Sequence, residues 1–221
     1  MTPIVAPQAR LPQIAVLGVG HVGPVVARVA HEAGYSVSIA TSGDPEQIAL
    51  IVQVLAPGVE VRWGAEAIAA ADLVALAIPL HTFTILDPTL FNGKIVLDMM
   101  NYWPPVDGRQ EVFEDDRLST SEIVQRRLAG ATVVKTLNHL GYHELDADRR
   151  PRGAPDRRAL GVAGDNPQTV DIVAELIERI GYDVVRFDRL SAGRALEPGG
   201  PVFGAVLRRP EFELAVHAKA A

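Results

Sequence analysis

A glycine-rich turn near the start of the chain has the spacing of a phosphate-binding loop. Gly18, Gly20 and Gly23 form the pattern G-x-G-x-x-G directly after the apolar run 13–17. In such a turn the first glycine permits a tight bend, the second lets a diphosphate approach the backbone, and the third lets the next helix pack on the strand. Free amides at the helix N-terminus then attract the phosphates. The pattern predicts a dinucleotide site; the alternative is a glycine turn that packs against a helix without a ligand.

The residues around this turn have the periodicity that a dinucleotide site requires. The run 13–17 suits a strand that is buried on both faces. From Val22 apolar residues recur at helical spacing, Gly34 ends the predicted helix, and a second strand is predicted at 36–40. A strand, a glycine turn, a helix and a second strand within about thirty residues form the βαβ unit of a Rossmann fold.

The alternation of strands and helices continues along the chain. Further strands are predicted at 59–62, 73–78, 94–98, 132–136, 160–163 and 183–187, and helices at 44–55, 65–71, 119–128 and 167–180. Units of this length imply an α/β fold with a Rossmann-type, doubly wound, mostly parallel sheet. The segment 99–117 is predicted to be a loop. The charged segment 146–158 is predicted to be an exposed loop between an NAD(P)-binding Rossmann domain, 11–150, and a short C-terminal α/β extension, 151–221, that closes the substrate cleft.

The end of the second predicted strand bears on the choice of cofactor. NAD-binding proteins usually place an acidic residue there to bind the ribose 2′-hydroxyl. Here the position is occupied by Thr41 and Ser42, whose hydroxyls and amides can bind a 2′-phosphate that a carboxylate would repel. This favours NADP over NAD, although Asp44 is close and an ordinary strand-end turn is the alternative.

A second loop, Ile78-Pro79-Leu80-His81, follows a predicted buried strand. The carboxyl ends of such strands form the edge where doubly wound folds bind ligands. We expect Pro79 to fix the chain over the middle of the cofactor. His81 could contact the nicotinamide or a second substrate, or it could be an exposed loop histidine.

Other chemistries are poorly supported. His139 and His143 have the spacing of metal ligands in a helix, but Gly141 lies between them and the segment follows a strand, so no metal is expected. The chain has no cysteine and no G-x-S-x-G elbow. No acid–base pair stands out, so no catalytic side chain is assigned. Carbonyl reducers need such a donor, whereas a flavin-like acceptor can take its proton from solvent, which favours hydride transfer between two cofactors.

Composition restricts the class of protein. The chain has 221 residues, a formal net charge of −6 and 48% hydrophobic residues. Nucleic-acid and membrane-surface binding require concentrated positive charge, so neither is expected. No apolar run suggests a signal peptide or a membrane span, and we expect a cytoplasmic protein.

Several longer motifs resemble one family. They are the GVGHVG turn, the strand-end TS, the loop IPLHT, and the runs VLDMMNYW, SEIVQ, VVKTLNHLGYHEL, GVAGD and LSAGRALEPGG. Together they cover almost the whole chain and resemble the NADPH-dependent reductases of the deazaflavin coenzyme F420. The same fold occurs in the cytosolic domain of the STEAP metalloreductases, to which this family is related.

The resemblance implies a role for particular residues. The pyrophosphate would be lined by Gly18, Val19, Gly20, His21 and Val22. Thr41 and Ser42 would hold the 2′-phosphate, with Ser42 where the family has an arginine. Ile78, Pro79 and His81 would lie beside the nicotinamide. Met100, Asn101 and Asn138 would frame its carboxamide and the deazaflavin. The implied activity is hydride transfer between NADPH and coenzyme F420, bound as the second substrate in the same cleft. The implied assembly is a homodimer, to which the apolar segment 202–207 could contribute.

Two alternatives remain open at this point. Asn101-Tyr102-Trp103 and Asn138-His139 differ from the best-characterised deazaflavin reductases. An NADPH-dependent reductase of a flavin, a ferric complex or another small acceptor is therefore one alternative. A non-catalytic NADP(H)-binding regulatory protein is the other.

Overall fold

A computed structural model gives the positions of residues 10–115 and 117–218. These residues form an eight-stranded sheet with the order β3-β2-β1-β4-β5-β6-β7-β8. The strands are β1 (Ile14–Leu17), β2 (Val37–Thr41), β3 (Glu60–Trp63), β4 (Leu73–Leu76), β5 (Ile95–Asp98), β6 (Thr132–Lys135), β7 (Ala159–Ala163) and β8 (Asp183–Phe187). Neighbouring strands are parallel except β6 and β7, which are antiparallel. The prediction of a doubly wound, mostly parallel α/β sheet is confirmed.

Helices cover both faces of the sheet. They are α1 (Val22–Glu32), α2 (Glu46–Leu55), α3 (Gly64–Ala70), α4 (Leu80–Phe83), α5 (Pro104–Asp107), α6 (Thr120–Arg127), α7 (Tyr142–Ala147), α8 (Pro167–Arg179) and α9 (Arg209–Ala218). Short 3-10 helices lie at Pro88–Phe91, Glu111–Phe113 and Leu190–Leu196. None of the helices described is long and apolar enough to cross a membrane.

Strands β1 and β4 at the centre of the sheet are apolar throughout because each face of the sheet meets a separate core. In β1, Ile14 and Val16 pack in the cluster that includes residues of α1 and α8, whereas Ala15 and Leu17 pack in the cluster under α3 and α6. All of these strand residues are buried. Alternate residues of a strand point to opposite faces of the sheet. A strand that is covered on both faces therefore has a continuous apolar sequence and no alternation of polar and apolar residues.

Local signals place the helix ends close to where the sequence predicts them. Ser119 and Glu122 form a capping box at the start of α6, as the serine-rich helix start suggests. Asp44 accepts a hydrogen bond from the amide of Glu46 at 2.9 Å, so it supports the start of α2 from outside the helix. Helices α4, α5, α7 and α9 are not predicted, and the first three have fewer than two turns.

Residues 148–156 form an exposed or half-buried loop, as the prediction for 146–158 has it, but the end of the segment differs from that prediction. Arg157 and Arg158 are buried, with 3% and 2% of their surface exposed. The Arg158 guanidinium pairs with Glu144 at 2.7 Å and Asp148 at 2.9 Å, and it donates to the carbonyl of Ala205. A run of charged residues indicates exposure only when water, and not the protein, solvates the charges. The carboxylates that pair with Arg158 lie in α7 and just after it, so this arginine can be buried.

The chain beyond 151 continues the same sheet. β7 meets β6 at the single register pair Lys135 and Ala163, and β8 runs parallel to β7. The 3-10 helix Leu190–Leu196 then returns over the sheet, so that Gly193 lies against Lys135. The C-terminal part of the chain is thereby brought beside the carboxyl ends of β5 and β6.

Candidate functional site

The strand order reverses between β1 and β4, and this reversal opens a crevice. The chain proceeds outward from β1 to β2 and β3 on one side, and from β4 to β5 and β6 on the other. Connections on the two sides of such a point leave in opposite directions, which exposes the carboxyl ends of the central strands. A cleft of about 870 Å³ lies there, within the size range of small-molecule and cofactor sites.

The glycine turn forms the base of this cleft, and each glycine has a distinct environment. At Gly18, where φ is +116°, a Cβ would lie 2.2 Å from the carbonyl oxygen of Ala77. At Gly23 a Cβ would lie 1.9 Å from the carbonyl oxygen of Gly18. At Gly20 no atom of the described chain lies within 4 Å of that position. The outer glycines therefore bring strand, turn and helix together, whereas the middle one leaves its backbone open to the cleft.

The start of α1 is left available to a ligand. Its N-cap is His21, which has helical dihedral angles and makes no side-chain capping hydrogen bond in the described structure. The first amides of a helix have no partner within the helix. An anion in the cleft would therefore meet unpaired donors and the positive end of the helix dipole.

Most of the residues that the sequence singles out are brought together in this cleft. Those that line it are Gly18, Val19, Gly20, His21, Val22, Thr41, Ser42, Ile78, Pro79, Met100 and Asn101. They come from the ends of β1, β2, β4 and β5 and lie up to 83 positions apart in the chain. The parallel sheet is what makes them neighbours.

Three candidate residues lie elsewhere. Gly23 is buried behind the turn, against Gly18. His81 is exposed on α4 and is absent from the lining of the cleft. Asn138 is buried behind Asn101, to whose side-chain oxygen it donates at 2.9 Å. Gly23 and Asn138 can therefore act on a ligand only through their neighbours.

The end of the cleft at Thr41 and Ser42 adjoins an acidic surface groove. The groove is lined by Asp44, Pro45, Glu46, Glu60, Val61, Arg62, Trp63 and Glu66. Arg62 is the basic residue among them, and its guanidinium pairs with Glu60 at 2.7 Å. The hydrogen bond to Glu60 raises the pKa of Arg62. The positive charge of Arg62 is therefore already paired with a carboxylate of the same groove.

The opposite end of the cleft is formed by the chain that follows β5. Met100, Asn101, Trp103 and Asp107 line it, and the amide of Trp103 donates to the Asp107 carboxylate at 2.8 Å. Trp103 and Asp107 are not among the candidates from the sequence, because the segment 99–117 is predicted only as a loop. Their position directly after a strand end at the ligand-binding edge is the signal that could have identified them.

A second cavity, of about 860 Å³, lies on the other side of the same loop. Tyr102 lines this second cavity, whereas its neighbours Asn101 and Trp103 line the first. The Tyr102 hydroxyl is fixed, since it donates to Glu114 at 2.6 Å and accepts from the amide of Gln110 at 2.9 Å. The loop residue Tyr102 thus stands between the two cavities.

The second cavity combines aromatic rings with one cation, Arg194, and three carboxylates, those of Glu114, Asp115 and Glu197. Phe113 and Phe187 line it with Tyr102, and Arg194 lines it from the 3-10 helix Leu190–Leu196. Arg194 is exposed and makes no side-chain hydrogen bond or ion pair with any residue of the described ranges. Glu197, in the same wall, instead accepts hydrogen bonds from the amide and hydroxyl of Thr120.

The histidine pair in the segment 139–143 has a structural setting. His139 is buried, and its Nε2 accepts a hydrogen bond from the amide of Gly161 at 3.2 Å. Burial lowers its pKa to about 3, so the ring is neutral. His143 lies in α7, which begins only after Gly141, so the two histidines do not share a helix. Within residues 10–115 and 117–218 no group of three or more histidine or acidic side chains could hold a metal ion.

The sheet order and the glycine turn define a Rossmann-type protein. Residues 13–102 match the family model described as NADP oxidoreductase, coenzyme F420-dependent. The match confirms the resemblance to the deazaflavin-linked NADP reductases over the part of the chain that forms the cleft. This partial match and the Rossmann-type fold together support NADP-linked oxidoreduction. No curated protein matches the chain.

Solved structures share this fold. A hypothetical protein, SMa0349 from Sinorhizobium meliloti, is 27% identical with a TM-score of 0.75, over 90% of this chain and 96% of that one. A predicted F420-dependent NADP reductase from Arthrobacter sp. FB24 is also 27% identical, with a TM-score of 0.66, over 83% of this chain and 87% of that one. An imine reductase from Pseudomonas sp. shares the fold at 19% identity and a TM-score of 0.55, over 96% of this chain and 62% of that one.

Gly20→Ala tests the cleft as a diphosphate site. A methyl group at this position meets no described protein atom but occupies the approach to the backbone. We expect calorimetry to give NADPH affinity reduced by about tenfold or more, equivalent to about 1.4 kcal/mol. The urea midpoint without nucleotide should stay within experimental error of the wild type. Equal nucleotide affinity in the two proteins would contradict this placement.

Proposed function

We propose that the protein transfers a hydride between NADPH and a deazaflavin of the coenzyme F420 type. The observation that carries the proposal is the open backbone at Gly20, in a cleft that continues from the glycine turn to Met100 and Asn101. The match of this region to the family of NADP oxidoreductases supports the same conclusion.

The residues present fit an NADP dinucleotide. The open position at Gly20 is a cradle that any side chain would fill, and the start of α1 supplies donors to phosphate oxygens. Thr41 and Ser42 would hold the 2′-phosphate through hydroxyls and amides. Ile78 and Pro79 would support the nicotinamide, and His81 is proposed to approach it from α4. When bound, the nucleotide supplies the hydride.

The acceptor is proposed to enter the cleft beside Met100 and Asn101, with the rest of the molecule passing Tyr102 into the second cavity. Aromatic rings there can stack on a planar ligand, and Arg194 can bind an anionic group. The chain would then act mainly by holding two rings in contact, since proximity and orientation alone can lower a barrier by about 7–11 kcal/mol.

The two parts of the chain are proposed to have separate roles. Residues 11–150 would bind the nucleotide, and the extension 151–221 would close the substrate cleft, since Phe187, Arg194 and Glu197 line the second cavity. A homodimer is also proposed. The segment 202–207 offers exposed apolar surface at Val206, which is 67% exposed, and sedimentation would determine the oligomeric state.

The decisive experiment measures exchange between the two cofactors. Loss of the near-ultraviolet absorbance of NADPH is expected only when the deazaflavin is added. A screen with flavins, ferric complexes and small carbonyl compounds distinguishes the other reductases, and tight nucleotide binding without turnover would indicate a regulatory protein. The absence of exchange at every pH tried would refute the deazaflavin assignment.

Ser42→Arg tests the placement of the 2′-phosphate. A guanidinium at this strand end adds a charge-assisted hydrogen bond, so we expect NADPH to bind about tenfold more tightly, with NADH almost unchanged. Ser42→Gln is the matched control, because it adds a long neutral side chain. If NADPH and NADH respond alike to the arginine, the 2′-phosphate lies elsewhere.

Arg194→Ala tests the second cavity as the place of the acceptor. Loss of an unpaired cation should raise the KM for the deazaflavin by about tenfold, the value of one charge-assisted contact, without changing NADPH affinity. Arg189→Ala is the control, since Arg189 is also exposed but does not line that cavity. A KM unchanged in the Arg194 variant would place the acceptor outside the second cavity.

A further inference from the structure

A buried ion pair lies directly behind the end of the cleft that receives the nicotinamide in the proposed function. Lys135 and Asp98 end the neighbouring strands β6 and β5 and are register partners. Their Nζ and Oδ2 atoms are 3.3 Å apart, and their side chains are 0% and 1% exposed. Ser121 of α6 donates to the same carboxylate oxygen at 2.5 Å.

This pair holds both main-chain polar atoms of Met100. The amide of Met100 donates to Asp98 Oδ1 at 3.0 Å, and the Lys135 ammonium donates to the carbonyl of Met100. Met100 lines the nucleotide cleft, so the orientation of the peptide planes there is set by two charged groups behind the surface.

The side chain of Asn101, the next residue, is also fixed by hydrogen bonds. Asn101 donates from Nδ2 to the carbonyl of Asn138 at 2.7 Å, and Asn138 donates to Asn101 Oδ1 at 2.9 Å and to the carbonyl of Leu196 at 2.6 Å. Leu137, just before Asn138, has a φ of +61°, which a leucine adopts only under constraint from its surroundings. The ends of β5 and β6 and the 3-10 helix Leu190–Leu196 are thus joined at one point.

Core stability gives no sufficient reason for two charges at this place. Removing ions from water is costly, and replacing a buried pair with apolar residues of similar volume is often neutral or stabilising. An apolar pair could neither donate a hydrogen bond to the carbonyl of Met100 nor accept one from its amide. The two charged side chains therefore fix the backbone orientation of Met100.

We propose that Lys135 and Asp98 are positioning residues that fix Met100 and Asn101 in the orientation that receives the nicotinamide ring. This rests on the proposed function, because it takes that end of the cleft as the place of the ring. Neither residue touches the ligand, since both are enclosed. Their effect on hydride transfer passes through the Met100 backbone.

The test uses the double variant Asp98→Leu/Lys135→Met, which removes both charges and leaves none unpaired. Two readouts report the ring: energy transfer from tryptophan to bound NADPH, for which Trp103 in the cleft wall is a donor, and kcat for hydride transfer. A third readout, calorimetry with 2′,5′-ADP, reports only the adenosine half. We expect weakened energy transfer and kcat lowered by about tenfold to a hundredfold, the effect of a small misplacement, with 2′,5′-ADP affinity unchanged.

Two further variants complete the design. Ser121→Ala keeps both charges and removes only the hydrogen bond from Ser121 to the Asp98 carboxylate. It should therefore lower kcat by less than the double variant does. It also tests the positioning role if the double variant does not fold. Arg157→Met is the matched control, because it removes another buried cation, one that contacts Asp183 and the carbonyl of Glu178. It should lower the unfolding midpoint without changing energy transfer.

The outcomes separate the two proposals. If the wild type binds NADPH and transfers hydride but the double and Ser121 variants match it, the positioning role is overturned and the proposed function stands. If affinity for 2′,5′-ADP falls as much as kcat, the pair is a general structural element and the positioning role is again overturned. A wild type that binds neither nucleotide overturns the proposed function, and the positioning role with it.

Discussion

The structure depends on the close approach of three backbone segments at one point. Gly18 touches the carbonyl of Ala77 at the end of β4, and Gly23 touches the carbonyl of Gly18. A Cβ at either position would overlap one of these carbonyl oxygens, at 2.2 and 1.9 Å, so β1, α1 and β4 would have to move apart. The central strands could then not pair in register, and the helix could not direct its first amides into the crevice. The site and the core are therefore products of the same contact.

The part of the fold that was predictable from sequence is the part governed by local rules. Uninterrupted apolar runs identify β1, β4 and β7, because strands covered on both faces have no alternation to obscure them. The Ser119–Glu122 capping box and the glycine after α1 are likewise local. The same holds for the cleft: the glycine turn, Thr41 and Pro79 lie at or just after strand ends, and a parallel sheet places strand ends together.

What could not be predicted depends on partners that are distant in the chain. Arg158 can be buried because Glu144 and Asp148 form ion pairs with it. The charged run around Arg158 contains no signal that identifies these partners. Lys135 and Asp98 are 37 positions apart, and each is simply a charged residue that ends an apolar strand. The short helices α4 and α5 begin at or after prolines in segments without periodicity. The second cavity needs residues from the loop after β5 and from the C-terminal segment, so no single stretch of sequence describes it.

The junction of β6 and β7 carries a consequence for behaviour in acid. Only one register pair joins these strands, and beyond it the Thr136 hydroxyl donates to the carbonyl of Gly161 while the Gly161 amide donates to His139 Nε2. An imidazole can accept that bond only while it is neutral, and enclosure keeps the pKa of His139 at about 3, below its ordinary value of 6.5. The unfolded chain takes up this proton at a higher pH than the folded one, so the contribution of His139 to stability is complete above pH 6.5 and declines as the solution is acidified towards pH 3. Acidification should therefore weaken the junction between β6 and β7.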